Sequence, residues 1–370
     1  MRALVLGGGV IGTSIAHRLA ARGVGVTLVE RRAVACAASG KSGGFLAMDW
    51  CDGTPLMELA RRSFALHAEL AEDLGGDWGY RRMASYGGIV GRRSTRASRG
   101  PRPGWVSPEV AISGQLGSPS TTAQVQPAAF TAAMMRAAEG RGAQLRLGRA
   151  TGLLRRGESV VGVRLEGEAL EGDAVVIAMG PWSVLAAQWL ALPPVFGLKG
   201  HSLVLDTGAA IPPEALFLEC ADAAGSTLSP EVFPRADGTT YVCAVSSEPP
   251  LPVDPGLVLP DEGAVDRLKA LCGRISPVLA RSPVLASQAC YRPVTQDGLP
   301  LIGAVPGVRG AYVATGHGVW GILNAPATAE ALAELMLDGA AGTIDLSPFD
   351  PSRLPALSPG RSATTRGLRD

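Results

Sequence analysis

Three glycines and one acid near the amino terminus have the residue types and the spacing needed to bind a nucleotide. Gly7, Gly9 and Gly12 form the pattern G-x-G-x-x-G, and Glu30 follows roughly twenty residues later. The first glycine allows a tight turn, the second lets a pyrophosphate approach the backbone, and the third lets a helix and a strand pack closely. The acid is suited to accept hydrogen bonds from ribose hydroxyls, and a following helix would direct free N–H groups at the phosphates. The pattern predicts a dinucleotide site and leaves open whether the dinucleotide is NAD or FAD.

Two further loops rich in small residues are placed to contact the same ligand. The stretch "CAASGKSGGFLA" at 36–47 comes soon after the first βα unit, and "ATGHGVWGILNAP" at 314–326 begins a helix after Gly318. The first loop is interpreted as running along the pyrophosphate and ribityl chain, with a flexible surface loop as the alternative. The helix N-terminus of the second would hold the negative charge that a reduced flavin develops.

The elements that must position these loops can be read from hydrophobic periodicity. We predict a βαβ unit over 3–30, a helix over about 55–74, a helix beginning at Pro127, a buried strand before Gly180, and a strand, turn and helix over 310–339. The region 91–122 is predicted to consist of loops with one or two short strands. Residues 195–295 are predicted to form an antiparallel sheet.

The return of Rossmann-like elements late in the chain favours FAD over NAD, because an NAD dehydrogenase normally completes its nucleotide domain first. The predicted fold is α/β, with a discontinuous Rossmann-like FAD-binding domain interleaved with a mixed or antiparallel β-sheet substrate domain. The FAD-binding domain is assigned to 1–85, 121–192 and 296–345, and the substrate domain to 86–120 and 193–295. Residues 346–370 are predicted to be a loose tail.

Composition excludes several other classes of protein. The net charge of +1 does not provide the excess of positive charge that is typical of nucleic-acid-binding proteins. No apolar run reaches the ~20 residues of a membrane helix. The six cysteines show neither a zinc spacing nor a disulfide framework, so no metal is expected. The first strand begins close to Met1, which leaves no room for a targeting peptide and predicts a cytoplasmic location.

In chain order, the segments "GGGVIG", "ASGKSGG", "VVIAMGPWS", "RPVTQDGLPLIG" and "YVATGHGVWGI" resemble the D-amino-acid oxidase family of FAD-dependent oxidoreductases, which includes glycine and sarcosine oxidases. Within that family, "GLKGHSLVLD" and its neighbours look most like a fungal and plant branch of oxidoreductases, named in yeast after a topoisomerase-damage phenotype. No substrate can be carried over from that branch. The resemblance implies FAD and the family's fold, and the reaction only by class.

With the resemblance, the expected cofactor-binding residues fall in five segments. They are Gly7, Gly9, Val10, Ile11, Gly12, Glu30 and Arg31 at the first unit; Ser39, Lys41, Ser42, Gly43 and Gly44 in the second loop; Gly180 and Trp182; Cys290; and Gly316, His317, Gly318, Trp320, Gly321 and Ile322 near the carboxyl end.

The resemblance also implies the candidate catalytic residues. In similar amino-acid oxidases, an arginine at the position of Arg292 binds the substrate carboxylate, and a guanidinium can do so through two parallel hydrogen bonds. The alternative is a structural pairing of Arg292 with Asp297, which is otherwise expected to hold its own loop. Tyr291 is placed in the same pocket, with a core tyrosine as the alternative, and His201 is assigned to the pocket wall.

The sequence departs from its relatives in ways that bear on the cofactor and the oxidant. Lys41 stands in the loop where some relatives attach FAD through a histidine, and 231–246 contains no lysine where sarcosine oxidases use one to activate oxygen. Cys290 matches, by a local alignment, a cysteine bonded to the flavin in sarcosine oxidases, although a buried unmodified cysteine is the commoner state.

We therefore predict an FAD-dependent oxidoreductase that oxidises a C–N bond of a small amino acid or N-substituted amine by hydride transfer to flavin N5. Its electron acceptor is O2 or another, unknown acceptor. The alternatives are a flavoprotein whose FAD is structural, acting in trafficking or protein interaction, and an NAD-dependent dehydrogenase.

Overall fold

The computed structural model describes residues 1–91, 102–221 and 227–357. Its helices are α1 Val10–Ala21, α2 Met57–Asp73, α3 Pro127–Glu139, α4 Ala264–Ile275, α5 Pro277–Arg281 and α6 Gly321–Asp338. Its strands are β1 Arg2–Leu6, β2 Gly25–Glu30, β3 Phe45–Ala47, β4 Arg81–Arg82, β5 Ala84–Val90, β6 Val110–Gly117, β7 Thr122–Gln124, β8 Gln144–Leu147, β9 Ala150–Arg156, β10 Ser159–Leu165, β11 Ala169–Glu171, β12 Ala174–Ile177, β13 Phe196–Asp206, β14 Glu214–Ala221, β15 Thr227–Leu228, β16 Glu231–Pro234, β17 Thr239–Ser247, β18 Val284–Val294, β19 Leu301–Ala304 and β20 Ala311–Thr315.

A six-stranded sheet carries the predicted nucleotide-binding elements. Its strand order is β19-β20-β12-β1-β2-β8, and all neighbours except β19 and β20 run parallel. The strands β1, β2, β12 and β20 are rich in Val, Leu, Ile and Ala and almost wholly buried, as expected of a parallel sheet covered on both faces. The α/β class predicted from the sequence is confirmed, and the late strands β12 and β20 do join the first βαβ unit.

An eight-stranded mixed sheet forms another wall of the cavity that the first sheet borders. Its order is β18-β13-β17-β16-β14-β5-β6, with β15 paired to β14, and β5 and β14 are parallel while the other pairs are antiparallel. One face buries Leu203, Val232 and Val242 against Leu268 and Leu271 of α4. The other face is therefore free to form a wall of the cavity.

The elements predicted from the sequence need two corrections. The region 195–295 contains α4 and α5 as well as strands, because Ala264, Leu268, Leu271, Cys272 and Ile275 form a buried helical stripe. The tail is not loose from its start: 347–349 and 351–353 form short 3-10 turns, and Phe349 is 1% exposed. Part of the predicted loop region, 92–101, and the tail beyond 357 lie outside the described residues.

Helix α6 packs on α2 despite containing a proline. Pro326 cannot donate a backbone hydrogen bond, and His67 of α2 lies with Nε2 3.0 Å from the carbonyl of Ile322. Ser63, also on α2, accepts the Ala327 N–H at 3.0 Å. Across the described ranges, no helix is long and apolar enough to span a bilayer.

Candidate functional site

The main cavity of the protein lies at the carboxyl ends of the parallel strands, where ligands of open α/β sheets usually bind. Leu6 and Glu30 end β1 and β2, Gly148 and Ala178 follow β8 and β12, and Thr315 ends β20; all five line this cavity. The cavity then extends to the second sheet, where Gly200, Glu231, Tyr241, Cys290 and Arg292 line it. A single cavity therefore joins the nucleotide-type turn to the predicted substrate residues.

The turn between β1 and α1 can hold an anion. Gly7 has φ +116°, and a Cβ added at Gly12 would lie 2.0 Å from the Gly7 carbonyl oxygen, so both positions require glycine. Within the described chain, the Val10 amide donates to Ser39 Oγ at 2.8 Å, while the amides of Ile11 and Gly12 have no protein acceptor. Such free amides at a helix N-terminus are suited to bind a phosphate.

The Glu30 carboxylate is fixed beside this turn. Its Oε2 accepts the Gly8 N–H at 2.6 Å, and its Oε1 accepts the Arg32 N–H at 2.8 Å. The side chain is buried and lines the cavity. Each carboxylate oxygen can accept a further hydrogen bond, so the group is held in place with acceptor capacity left for ribose hydroxyls.

The second loop contributes to the cavity through its serines. Ser39 and Ser42 line the cavity, and the buried Arg235 donates from Nη2 to the Ser42 carbonyl at 2.9 Å. Gly43 and Gly44 do not line it, because a Cβ there would meet the Phe233 ring at 2.2 Å and the Val125 carbonyl at 2.1 Å. These two glycines permit close packing of the loop instead.

The turn before α6 brings four predicted residues to the cavity, namely His317, Gly318, Gly321 and Ile322. His317 is 4% exposed, and its Nε2 lies 3.1 Å from Thr328 Oγ1. Burial lowers the pKa of His317 to about 3, so the imidazole is neutral at physiological pH. Any positive potential at this end of the cavity therefore comes from the helix and not from His317.

Successive side chains of β18 point to opposite faces of the sheet, so only every second one reaches the cavity. Cys290 and Arg292 line it, whereas Tyr291 points to the opposite face and donates from its hydroxyl to the Pro250 carbonyl at 2.8 Å. His201 of β13 also lies off the cavity: its Nδ1 is 3.1 Å from the Val245 carbonyl, and its Nε2 is 3.2 Å from Asp261 Oδ2. The placement of Tyr291 and His201 in the pocket was wrong, because both lie on the far face of their strands.

Arg292 is available to a ligand. Its guanidinium lies over Gly200, where an added Cβ would come within 3.3 Å of Cζ, and its nearest polar partner is Ser246 Oγ at 3.4 Å. The alternative pairing with Asp297 is wrong, since Asp297 binds Arg353 at 2.7 Å. Asp297 also accepts from Thr295 and from the Leu299 amide, so it does hold its loop as expected.

The remaining predicted residues divide between those that line the cavity and those that do not. Gly9, Val10, Ile11, Arg31, Gly180 and Trp182 line it, whereas Gly12, Lys41, Gly316 and Trp320 do not. Gly316 is a packing position, because a Cβ there would meet Thr295 Cγ2 at 2.7 Å.

Sequence reasoning missed several lining residues, including Gly148 and Arg149 after β8, and Glu231 and Tyr241 of the second sheet. The first two follow a strand parallel to β2, so their place at the cavity could have been found once β8 was assigned to that sheet. Glu231 and Tyr241 reach the cavity through strand pairings that local patterns do not specify.

Comparison with known proteins identifies the family. The model of the DAO family, described as FAD dependent oxidoreductase, matches residues 2–335. The chain belongs to this family. Among curated relatives of this FAD-dependent family, a Schizosaccharomyces pombe protein named as an oxidoreductase is 29% identical over 379 residues, covering 94% of this chain and 97% of that protein. A glycine oxidase of Pseudomonas aeruginosa is 29% identical over 382 residues, covering 95% and 98%.

Solved structures of FAD-family enzymes agree with the fold. The crystal structure of glycine oxidase from Geobacillus kaustophilus matches with a TM-score of 0.80 and 25% identity, covering 95% of this chain and 99% of that one. The choice between NAD and FAD is thus settled for FAD. The residues present fit this cofactor: the free amide of Ile11, which lines the cavity, suits its pyrophosphate, Glu30 suits its ribose, and the cavity continues far enough to reach Cys290.

Proposed function

We propose that this FAD-dependent oxidoreductase oxidises a C–N bond of a small amino acid or N-substituted amino acid. The observation that carries the proposal is Arg292, a guanidinium in the wall of the main cavity with no acidic partner within ion-pair distance in the described chain. The glycine oxidases of Pseudomonas aeruginosa and Geobacillus kaustophilus support the substrate class by analogy.

Arg292 would bind the substrate carboxylate through two parallel hydrogen bonds and so fix the position of the α-carbon. Gly200 beneath the guanidinium leaves room for it to lie flat. Trp182 and Tyr241, both nearly buried, would exclude water from the bound substrate. FAD, when bound, would supply the acceptor for the hydride, that is, the hydrogen together with its bonding electron pair, that leaves the substrate carbon.

An anaerobic screen tests this proposal directly. Purified holoprotein is mixed with single amino acids and their N-methyl derivatives, and loss of the flavin absorbance is followed. We expect bleaching by at least one small member of the set, with Arg292→Met showing a raised KM and a lowered kcat for that substrate. Arg292→Lys should restore little, because an ammonium lacks the planar pair of donors.

Holoprotein that no member of the set bleaches would contradict the proposed reaction and favour a structural role for the FAD. Bleaching that is unchanged in Arg292→Met would contradict the assigned role of Arg292. In both experiments the bound FAD is quantified first, so that loss of cofactor is not mistaken for loss of chemistry.

We further propose that an acceptor other than O2 reoxidises the protein efficiently. No lysine side chain lines the main cavity in the described residues, and Lys199 lies beside Tyr291 on the far face, bound to Asp261. Admitting air after anaerobic bleaching should restore the absorbance slowly. Rapid recovery would contradict this part of the proposal.

A further inference from the structure

Glu231 and Arg292 lie at the same place in the cavity wall, but the proposed reaction has so far given a role only to Arg292. Both line the main cavity, and both also line a second, polar cavity together with Thr227, Leu228, Ser229, Cys243, Ala244 and Ser246. The two charged side chains therefore stand side by side at the boundary between the two cavities, on the sheet face that closes the main one.

In the part of the chain that the structure describes, neither charge has a partner of opposite sign within ion-pair distance. Among the described residues, the Glu231 carboxylate has one hydrogen-bond partner, Cys243, whose thiol donates to Oε2 at 3.4 Å, and the Arg292 guanidinium has only Ser246 Oγ at the same distance. Over the ranges that the structure describes, no ion pair joins Glu231 and Arg292 to each other or to a third residue. A partly desolvated charge costs free energy unless an opposite charge pairs with it. A ligand that carries both a positive and a negative charge would supply the missing partners of Glu231 and Arg292.

The environment of Glu231 agrees with a ligand-binding role. Burial raises the pKa of its carboxyl, and the nearby Arg292 charge partly offsets that effect. A cation arriving beside Glu231 would favour its charged form further. The register explains why the acid is there: Glu231 pairs with Cys243 across β16 and β17, and its side chain shares the sheet face of Phe233 and Tyr241.

We propose that Glu231 binds the ammonium group of the incoming substrate while Arg292 binds its carboxylate, so that the site selects zwitterionic amino acids over plain carboxylates. Before the hydride leaves the α-carbon, the nitrogen passes one proton to the Glu231 carboxylate and so regains its lone pair. This rests on the proposed function, since it assigns the second half of the same substrate. It narrows the substrate class to molecules with a free, basic nitrogen next to the carboxylate. N-acylated amino acids, whose nitrogen carries no charge, are excluded.

Two isosteric ligands test the role of Glu231 without turnover. 2-Aminoisobutyrate has an ammonium group where pivalate has a methyl group, and neither has an α-hydrogen to be oxidised. Binding is measured by calorimetry and by the change in flavin absorbance. We expect the wild type to bind 2-aminoisobutyrate about 10- to 100-fold more tightly than pivalate, as a hydrogen bond to a charged group predicts.

Glu231→Gln should remove most of this preference while leaving pivalate binding within a few fold. Glu219→Gln, the same change at an exposed position of the same sheet, should leave both affinities unchanged. Equal binding of the two ligands by the wild type, or a preference that persists in Glu231→Gln, would overturn the role of Glu231. The wild-type comparison decides the matter even if the variant does not fold.

If the proposed function itself is wrong, the same binding experiments give a different result. Arg292→Met should weaken both ligands together, because both carry the carboxylate. A wild type that binds neither ligand, or an Arg292→Met variant that binds both normally, would contradict the carboxylate site itself and not only its ammonium half.

Discussion

His67 Nε2 lies 3.0 Å from the carbonyl oxygen of Ile322, on a helix to which His67 does not belong. In an uninterrupted helix this oxygen would accept the amide of the residue four positions later, but that residue is Pro326. His67 supplies the missing donor, and its Nε2 is also 3.2 Å from the Leu323 carbonyl. Because Ile322 lines the main cavity, this contact fixes part of the cavity wall.

Replacing His67 should destabilise the protein measurably. We expect His67→Ala to lower the free energy of unfolding by about 2–4 kcal/mol, through a lost hydrogen bond and a new cavity. His67→Phe fills the volume without the donor and should cost about 1–3 kcal/mol. Urea denaturation of the holoprotein measures both values. Wild-type stability in His67→Phe would show that the carbonyl needs no donor.

Stability should also fall in mild acid. Burial lowers the pKa of His67 to about 4 and that of His317 to about 3, whereas an unfolded histidine titrates near 6.5. The unfolded state therefore binds protons first, so the stabilisation is complete above about pH 6.5 and is lost as the pH falls towards 4. Each histidine should contribute a loss of about 2 kcal/mol between about pH 7 and pH 5. A flatter pH profile in His67→Phe than in the wild type checks the assignment.

Gly12→Ala should abolish FAD binding. Its Cβ would lie 2.0 Å from the Gly7 carbonyl oxygen, and relief of that clash must displace the turn that presents the free amides. Gly273→Ala in α4 is the matched control, because nothing lies within 4 Å of its Cβ. That change should keep FAD and stabilise the protein by up to about 1 kcal/mol. Yellow, fully loaded Gly12→Ala protein would contradict the turn's role.

Glu30→Gln should weaken FAD binding by about 10- to 100-fold, since a charged acceptor for ribose hydroxyls becomes a neutral amide. The change also places an amide nitrogen near Gly8 or Arg32, whose N–H groups need acceptors. Fluorescence titration of the apoprotein with FAD measures the affinity. An unchanged dissociation constant would remove Glu30 from the cofactor site.

FAD should be released when the protein is denatured in acid. Cys290 lines the main cavity, but burial raises the pKa of its thiol, which disfavours the thiolate that covalent attachment would need. Colour in the supernatant after centrifugation is the expected result. Colour that stays in the pellet, and is lost from the pellet in Cys290→Ser, would instead establish a bond from Cys290.

The first βαβ unit and the last strand-turn-helix unit were predictable because their signals are local. Gly7, Gly12 and Glu30 act within one turn and its flanking elements, so their spacing in the sequence is enough to predict their roles. Tyr291 shows where local patterns stop: an antiparallel sheet was predicted over 195–295, but which face of β18 meets the cavity depends on its pairing with β13. Glu231 depends in the same way on its pairing with Cys243. The stripe of α4, in contrast, was present in the sequence and was overlooked.

The strand order of the six-stranded sheet also constrains when the protein can fold. β1 pairs with β12, so that Ala3 lies opposite Ala174, and β12 in turn pairs with β20 near the end of the chain. During synthesis, β1 must wait until nearly half of the polypeptide has been made before its second neighbour exists, and contacts this distant in sequence form slowly. The cofactor cavity closes later still, because Thr315, His317 and Ile322 belong to its wall. Tight loading of the cofactor is therefore a late event, which follows release of nearly the whole chain from the ribosome.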